Sequence, residues 1–294
     1  MLPGLFKPEY LFRPRQLAKR LLQGRQSGFK TVRLPWGKDI RVSTDDNVGG
    51  QIATLGLYDL VITETLWRLC EPGESAIDVG ANIGYTTFVM AQRLGAGRIR
   101  CYEPHPVIYQ ELLSNLALLR DQGCPTEIVS HQAALGPEVG ELPLHVPQDF
   151  AYHRGESSLS APTHLECASE RVVVAVNTLD NQLLVDEKIG IMKMDVEGFE
   201  LEVLRGAERT FSSKRVRDCV FEEHHTFPTP VTTWFESHGY SIFRLDRSFM
   251  RPLLLEPNSP VPRTEWTATN YLATVDPERV RARFAKVGWR CLGR

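Results

Sequence analysis

Residues 75–103 read SAIDVGANIGYTTFVMAQRLGAGRIRCYE, and the order of the parts in this stretch decides the fold. Ser75–Val79 is a short apolar run of strand length. Two glycines four residues apart, Gly80 and Gly84, follow it, and a 3.6-residue apolar period then runs over 83–94. A second short run, Arg98–Tyr102, ends at Glu103-Pro104. Strand, glycine turn, helix and strand in this order are the signature of a parallel sheet covered on both faces.

The same alternation extends outward. A helix is predicted over 107–119 and a strand over 127–134. Ile189–Met194 resumes the sheet, and a helix is expected over 199–211. Strands at 218–221 and 240–245 flank a helix near 231–238, and 271–275 closes the set. Pro252, Pro257, Pro260 and Pro262 mark a loop between the last two strands. Two extra strands, 141–146 and 171–176, enclose the polar stretch 148–170, a connection long enough to suggest a functional loop. The expected organisation is a basic, partly helical extension over 1–49 and one α/β catalytic domain over 50–294.

Composition narrows the class. The chain has 294 residues, 42% hydrophobic and 24% charged, with 22 Gly and 19 Pro, which excludes disorder, collagen and coiled coil as overall descriptions. No apolar run approaches the roughly 18 residues of a membrane span. Cysteines at 70, 101, 124, 167, 219 and 291 show no metal-ligand spacing and read as reduced thiols of an intracellular, cytoplasmic protein. A net charge of -2 argues against a general nucleic-acid binder, and no sequence-specific nucleic acid is expected. Residues 1–41 nevertheless hold ten Lys/Arg against Glu9 and Asp39, leaving -10 for the rest. Leu11, Phe12, Leu17, Leu21 and Leu22 lie among them at partly helical spacing. Such an arm suits peripheral contact with an anionic membrane, or packing on the acidic body.

The glycine turn carries chemistry. Gly80 permits a tight turn and close approach of a ligand to Ala81, Asn82, Ile83 and Gly84 at the helix start. Asp78 would repel a pyrophosphate and attract an ammonium group. Glu103, at the end of the second strand, can accept both hydrogen bonds of a ribose diol. A nucleoside joined to an amino acid is S-adenosylmethionine, and it belongs at the carboxyl ends of the strands.

With these residues in place the chain resembles the FkbM-type S-adenosylmethionine-dependent methyltransferases. The matching pieces are IDVGANIGYTTF (77–88), YEPHPVIYQELLSNLAL (102–118), QAALG (132–136), VNTLDN (176–181), KMDVEGFELEVLRGA (193–207) and FEEHH (221–225). The resemblance implies a class I methyltransferase, Rossmann-like fold. Its sheet is mostly parallel and seven-stranded, with one antiparallel strand and here an inserted hairpin. It adds Pro104 and Ala133 to the cofactor shell. It also implies O-methylation of a hydroxyl on a sugar, glycolipid or secondary metabolite, so the expected partner is a small-molecule or glycan acceptor.

An alcohol is a poor nucleophile at neutral pH, so a base or a metal ion is expected beside it. Asp195 ends the fourth core strand, and Glu197 and Gly198 follow. If the next strand persists, its period of two puts Val220, Glu222 and His224 on one side and Phe221, Glu223 and His225 on the other. The reading is that His224 or Asp195 accepts the proton, with Glu222 orienting the imidazole. Asp195, Glu197, Glu222 and His224 also make a plausible divalent-cation site. Lys193 needs a carboxylate partner, Asp78 or Glu222, if buried. Asn115 has a structural or cofactor-shell role. FAYHRGESSLS (150–160), with Tyr152, His153, Arg154 and a Gly155 hinge, reads as a lid or as a solvated loop. The alternatives are N-methylation, modification of a macromolecule docked on the basic arm, and a non-catalytic nucleotide-binding protein.

Overall fold

Period-two burial along the central strands shows how the sheet is clothed. In β3 (Ser75–Val79), Ala76 packs into one apolar cluster and its neighbours Ile77 and Val79 into another; in β9 (Ile189–Met194), Ile191 and Met192 divide in the same way. Both faces are therefore covered, as the parallel pattern requires. The computed structural model describes residues 27–150, 152, 155, 157–160, 168–260 and 268–293. The basic arm through residue 26, with the predicted helical leucines, lies outside the described residues, as do His153, Arg154 and Cys167.

A hairpin of β1 (Phe29–Arg33) and β2 (Asp39–Ser43) comes first. Its Val32, Ile40 and Val42 are buried in the cluster that holds Ile191. Helices α1 (Asn47–Leu55) and α2 (Leu60–Leu69) follow, each N-capped by an aspartate, Asp46 and Asp59. Beyond β3 come α3 (Tyr85–Leu94), β4 (Arg98–Tyr102), α4 (Pro106–Asp121) and β5 (Glu127–His131). The predicted strand 127–134 is two pieces, because β6 (Ala134–Leu135) leaves the main sheet to pair with β8 (Ala168–Asn177). β7 (Gly140–Pro147) pairs antiparallel on the other edge of β8 and completes the inserted sheet.

The chain returns through α5 (Leu179–Gln182) and β9 to α6 (Glu200–Arg205) and α7 (Glu208–Ser212). The single helix predicted over 199–211 is thus broken. At the break Gly206 lies against the main chain of Gly136, where an added Cβ would meet the carbonyl oxygen at 1.9 Å. The remaining elements are β10 (Val216–Glu223), α8 (Pro230–Ser237), β11 (Ser241–Arg247), β12 (Pro252–Leu255), β13 (Thr269–Thr274) and α9 (Pro277–Phe284). Pro252 opens a strand rather than marking only a loop; at a sheet edge its missing N–H leaves no ladder bond unmade.

The strand order is β12-β11-β13-β10-β9-β3-β4-β5. Strands β10, β9, β3, β4 and β5 pair parallel, while β13 runs antiparallel between β10 and β11. That is the expected seven-strand core with its one antiparallel member, to which β12 adds an eighth strand at the edge. No helix among the described residues is long and apolar enough to cross a membrane.

Candidate active site

A cavity of about 1090 Å³ lies over the carboxyl ends of β3, β4, β9 and β10, where an open α/β sheet binds ligands. The glycine turn forms its floor. Gly80 has φ 72°, and an added Cβ would meet the carbonyl oxygen of Asp195 at 1.9 Å, so turn and Asp195 loop touch through their main chains. The turn's amides are engaged inside the protein. Those of Gly80 and Ala81 donate to Tyr102 O, Asn82 to Glu103 Oε2, Ile83 to Asn82 Oδ1 and Gly84 to Ala81 O. Gly80, Ala81, Asn82, Ile83, Glu103, Pro104 and Ala133 line the cavity.

Asp78 sits behind the turn. It is fully buried and accepts hydrogen bonds from Thr86 Oγ1 at 2.8 Å and Thr87 Oγ1 at 2.5 Å. Burial raises its pKa, against the pull of Lys193 and the two threonines. It thus ties β3 to the first turn of α3 instead of facing the cavity. Asn115 is equally internal: its amide bridges Ile83 O at 2.8 Å and Arg41 O at 3.0 Å, and its oxygen accepts Arg41 N at 2.9 Å. The glycine turn is thereby fastened to the β1–β2 hairpin.

Glu103 accepts the amides of Asn82 and His105, both at 2.9 Å. Burial lifts its carboxyl from 4.5 to about 7 despite those donors. A carboxylate has about four lone-pair sites, so two bonds leave capacity for two more donors.

Asp195, Glu197 and Glu222 line the same cavity, and each offers an oxygen within 4.8 Å of the others. Lys193 Nζ meets Asp195 Oδ2 at 3.2 Å and Gly80 O at 3.0 Å, so its ion-pair partner is Asp195, not Asp78 or Glu222. Burial works against the lysine's charge, but Asp195 and then Asp78 outweigh it and raise its pKa. Glu222 is pushed up to about 9 by burial and by the charges of Asp195 and Glu197, and it shares a hydrogen bond with Asp195. Two carboxyls this close hold one proton between them.

Strand β10 ends at Glu223, so the alternation anticipated through His225 stops short of both histidines. His224 Nε2 lies 3.7 Å from Glu197 Oε2, which places the imidazole beside Glu197 rather than under the orientation of Glu222. Glu223 is buried and meets His225 Nδ1 at 3.1 Å. Glu197 itself has φ 52°, in a loop whose Val196 and Gly198 amides are held by Glu200 Oε1.

Among the cavity residues that escaped sequence reasoning are Tyr58, Asp59 and Asn270. Asp59 adopts φ 32° and ψ 95°; its Oδ1 caps α2 by accepting Val61 N and Ile62 N, and its Oδ2 receives Asn270 Nδ2 at 3.2 Å. Burial raises its pKa, against the α2 amides and Arg247. An aspartate before an apolar helical run is a legible cap signal, but the cap alone does not announce a cavity wall.

The described part of 150–160 also lines the cavity. Tyr152 O accepts Asn47 N at 3.2 Å, Ser158 Oγ donates to Glu197 O at 2.6 Å, and Ser160 Oγ donates to Gly198 O at 2.8 Å. Its described residues thus contact the start of α1 through Tyr152 and the Glu197 loop through Ser158 and Ser160.

Known proteins with similar sequences carry the same chemistry in their names. The chain is 30% identical over 206 residues to methyltransferase sdnD of Sordaria araneosa, covering 60% of this chain and 76% of that one. It is 27% identical over 150 residues to methyltransferase 1 of Beauveria bassiana, 45% of this chain and 57% of the relative. Among solved structures, the FkbM methyltransferase of Methylobacillus flagellatus has a TM-score of 0.45 at 19% identity, over 68% of this chain and 43% of its own. A sequence profile of the methyltransferase FkbM domain matches residues 78–242. That match runs from the end of β3 to the start of β11, taking in β4, β5, β9 and β10 whole, and the chain belongs to the FkbM methyltransferase family.

Proposed function

We propose that the protein is an S-adenosylmethionine-dependent methyltransferase that methylates a hydroxyl of a small molecule or glycan. The observation that carries this reading is that Glu103, after β4, and the Asp195–Glu222 pair, at the ends of β9 and β10, line one cavity. The cofactor supplies an electrophilic methyl group together with its leaving group. Glu103, with two lone-pair sites to spare, would hold the ribose diol, and Gly80–Ile83, Pro104 and Ala133, which line the cavity, would wall the nucleoside.

Glu222 keeps a proton at neutral pH, which leaves Asp195 as the acceptor of the pair. With the cofactor bound, Asp195 would take the proton that the acceptor hydroxyl gives up on methylation. Lys193, 3.2 Å away, fixes the Asp195 carboxylate against Gly80. His224, exposed beside Glu197, is placed to relay the proton to solvent. Tyr152, Ser158 and Ser160 line the same cavity.

The approach of three carboxylates to within 4.8 Å favours a second reading, in which Asp195, Glu197 and Glu222, with His224 beside them, hold a divalent cation. A methyl-transfer screen with labelled cofactor against sugar, glycolipid and polyketide hydroxyls tests the main proposal. Asp195→Asn is expected to lower turnover by about 100-fold or more, and turnover is expected to survive exhaustive chelation. Loss on chelation would move the role to the cation, a methyl group found on nitrogen would reassign the acceptor, and failure to bind S-adenosylmethionine would end the enzymatic reading.

A further inference from the structure

Asn270 lies outside the family match, on the antiparallel strand β13, yet it lines the cavity beside the reacting groups. Its partner across the β10–β13 pairing is Glu222. Residues directly opposite on antiparallel strands share a face, with Cβ atoms about 4.5–5.5 Å apart. Asn270 therefore stands one strand over from the Asp195–Glu222 pair.

Its amide has a defined sense. Asp59 Oδ1 is used by the two α2 amides, and Oδ2 faces the Asn270 side chain at 3.2 Å. In the structure Asn270 donates from Nδ2 to Asp59 Oδ2, which leaves its carbonyl oxygen for a different partner. Among the described residues no hydrogen-bond donor meets that oxygen. Asp59 holds this arrangement at φ 32°, a conformation that costs a non-glycine residue free energy and that helix capping alone does not require.

We propose that Asn270, oriented by Asp59, is a specificity-determining residue that reads a vicinal diol: its Oδ1 accepts a hydrogen bond from the hydroxyl next to the one being methylated. Asp59 is a positioning residue that acts through Asn270. This rests on the methyltransferase reading above, and it names the acceptor class as a polyol with adjacent hydroxyls. One hydroxyl meets Asp195 and Glu222, and its neighbour meets Asn270.

The test compares three probes under labelled cofactor: a vicinal cyclohexanediol, cyclohexanol, and the α-hydroxyketone of the same ring. Wild-type enzyme is expected to favour the diol over cyclohexanol by about tenfold in kcat/KM, the factor carried by about 1.4 kcal/mol. Asn270→Ala should bring that ratio to about one while leaving cofactor affinity unchanged.

Asp59→Asn is the diagnostic variant, because asparagine also caps helices well. Its carbonyl keeps the α2 amides, its NH₂ faces Asn270, and Asn270 must flip to present NH₂ to the cavity. The hydroxyketone should then gain on the diol until the two react about equally, because a hydroxyl accepts as well as donates, and mere loosening of the fold would not raise one probe alone. A wild-type enzyme indifferent between diol and cyclohexanol, an Asn270→Ala enzyme that keeps the ratio, or an Asp59→Asn enzyme in which the hydroxyketone gains nothing on the diol relative to wild type overturns the proposal. So does methylation of none of the three while S-adenosylmethionine binds calorimetrically. Absence of cofactor binding would instead sink the parent reading.

Discussion

Cofactor binding is expected to release a proton, and Glu103 is its source. In the free protein burial holds this carboxyl at about 7, against 4.5 for an ordinary glutamate. Two hydroxyl donors from a ribose would favour the charged form and lower the value. Binding below neutral pH must therefore displace a proton. Affinity should be level above about pH 8 and weaken by about tenfold per unit below about pH 7, with roughly half a proton released at neutrality.

The measurement is calorimetric titration with S-adenosylmethionine across this range, repeated in two buffers of different ionisation enthalpy. Glu103→Gln should remove the acid limb and weaken binding at high pH. Stability follows the same linkage. A folded pKa above the unfolded one means that the contribution is fully present below about 4.5 and is lost as pH rises through about 7, a change of about 3 kcal/mol. The free protein should lose that much between pH 4 and 8 from this group, and the cofactor should restore part of it. Affinity unchanged from about pH 5 to 8, with equal heats in both buffers, would refute the assignment of Glu103 to the ribose.

Three further outcomes are expected. Asn115→Ala strands buried backbone groups of Arg41 and Ile83 and should cost about 3 kcal/mol in urea unfolding; a loss below about 1 kcal/mol would mean that the hairpin is not fastened there. Glu64→Gln leaves the fully buried Arg68 without its ion partner and should cost about 3–5 kcal/mol, read in the same way. Gly80→Ala drives a methyl group into the Asp195 carbonyl and should cut methyl transfer by about a hundredfold; wild-type turnover would show that the two loops do not touch.

The parts of the fold that were legible are those written in local periodicity. β3, its glycine turn, α3, β4 and Glu103 lie within 29 consecutive residues, and each is signalled by spacing alone. Asp195 and Glu222 were legible because a carboxylate at a strand end is visible once the strand is found. Asp78 was not placed correctly by charge logic alone. Which way it faces depends on the threonine hydroxyls of α3 that reach back to it, a tertiary fact. His224 does line the cavity, as anticipated, but its side was not legible, because that rested on a strand that ends one residue earlier. Likewise the split of 199–211 comes from a contact with Gly136, some seventy residues upstream.

Asp59 and Asn270 show the limit most plainly. They are 211 residues apart, and neither belongs to a recognisable motif. Their meeting is set by the antiparallel register that puts Asn270 opposite Glu222 and by the cap that turns Asp59 inward. Proton acceptance needs carboxyl groups at fixed separations, and the parallel strands inside the matched region provide that rigid frame. Recognition of an acceptor needs walls that differ between enzymes sharing the frame. Here those walls come from the α1–α2 connection and from β13, on either side of the matched region. Substitutions at Tyr58, Asp59 and Asn270 should therefore change which acceptor is methylated more than whether cofactor binds, whereas substitutions at Glu103 should do the reverse. An Asn270→Ala variant that lost cofactor affinity as severely as Glu103→Gln would break that division.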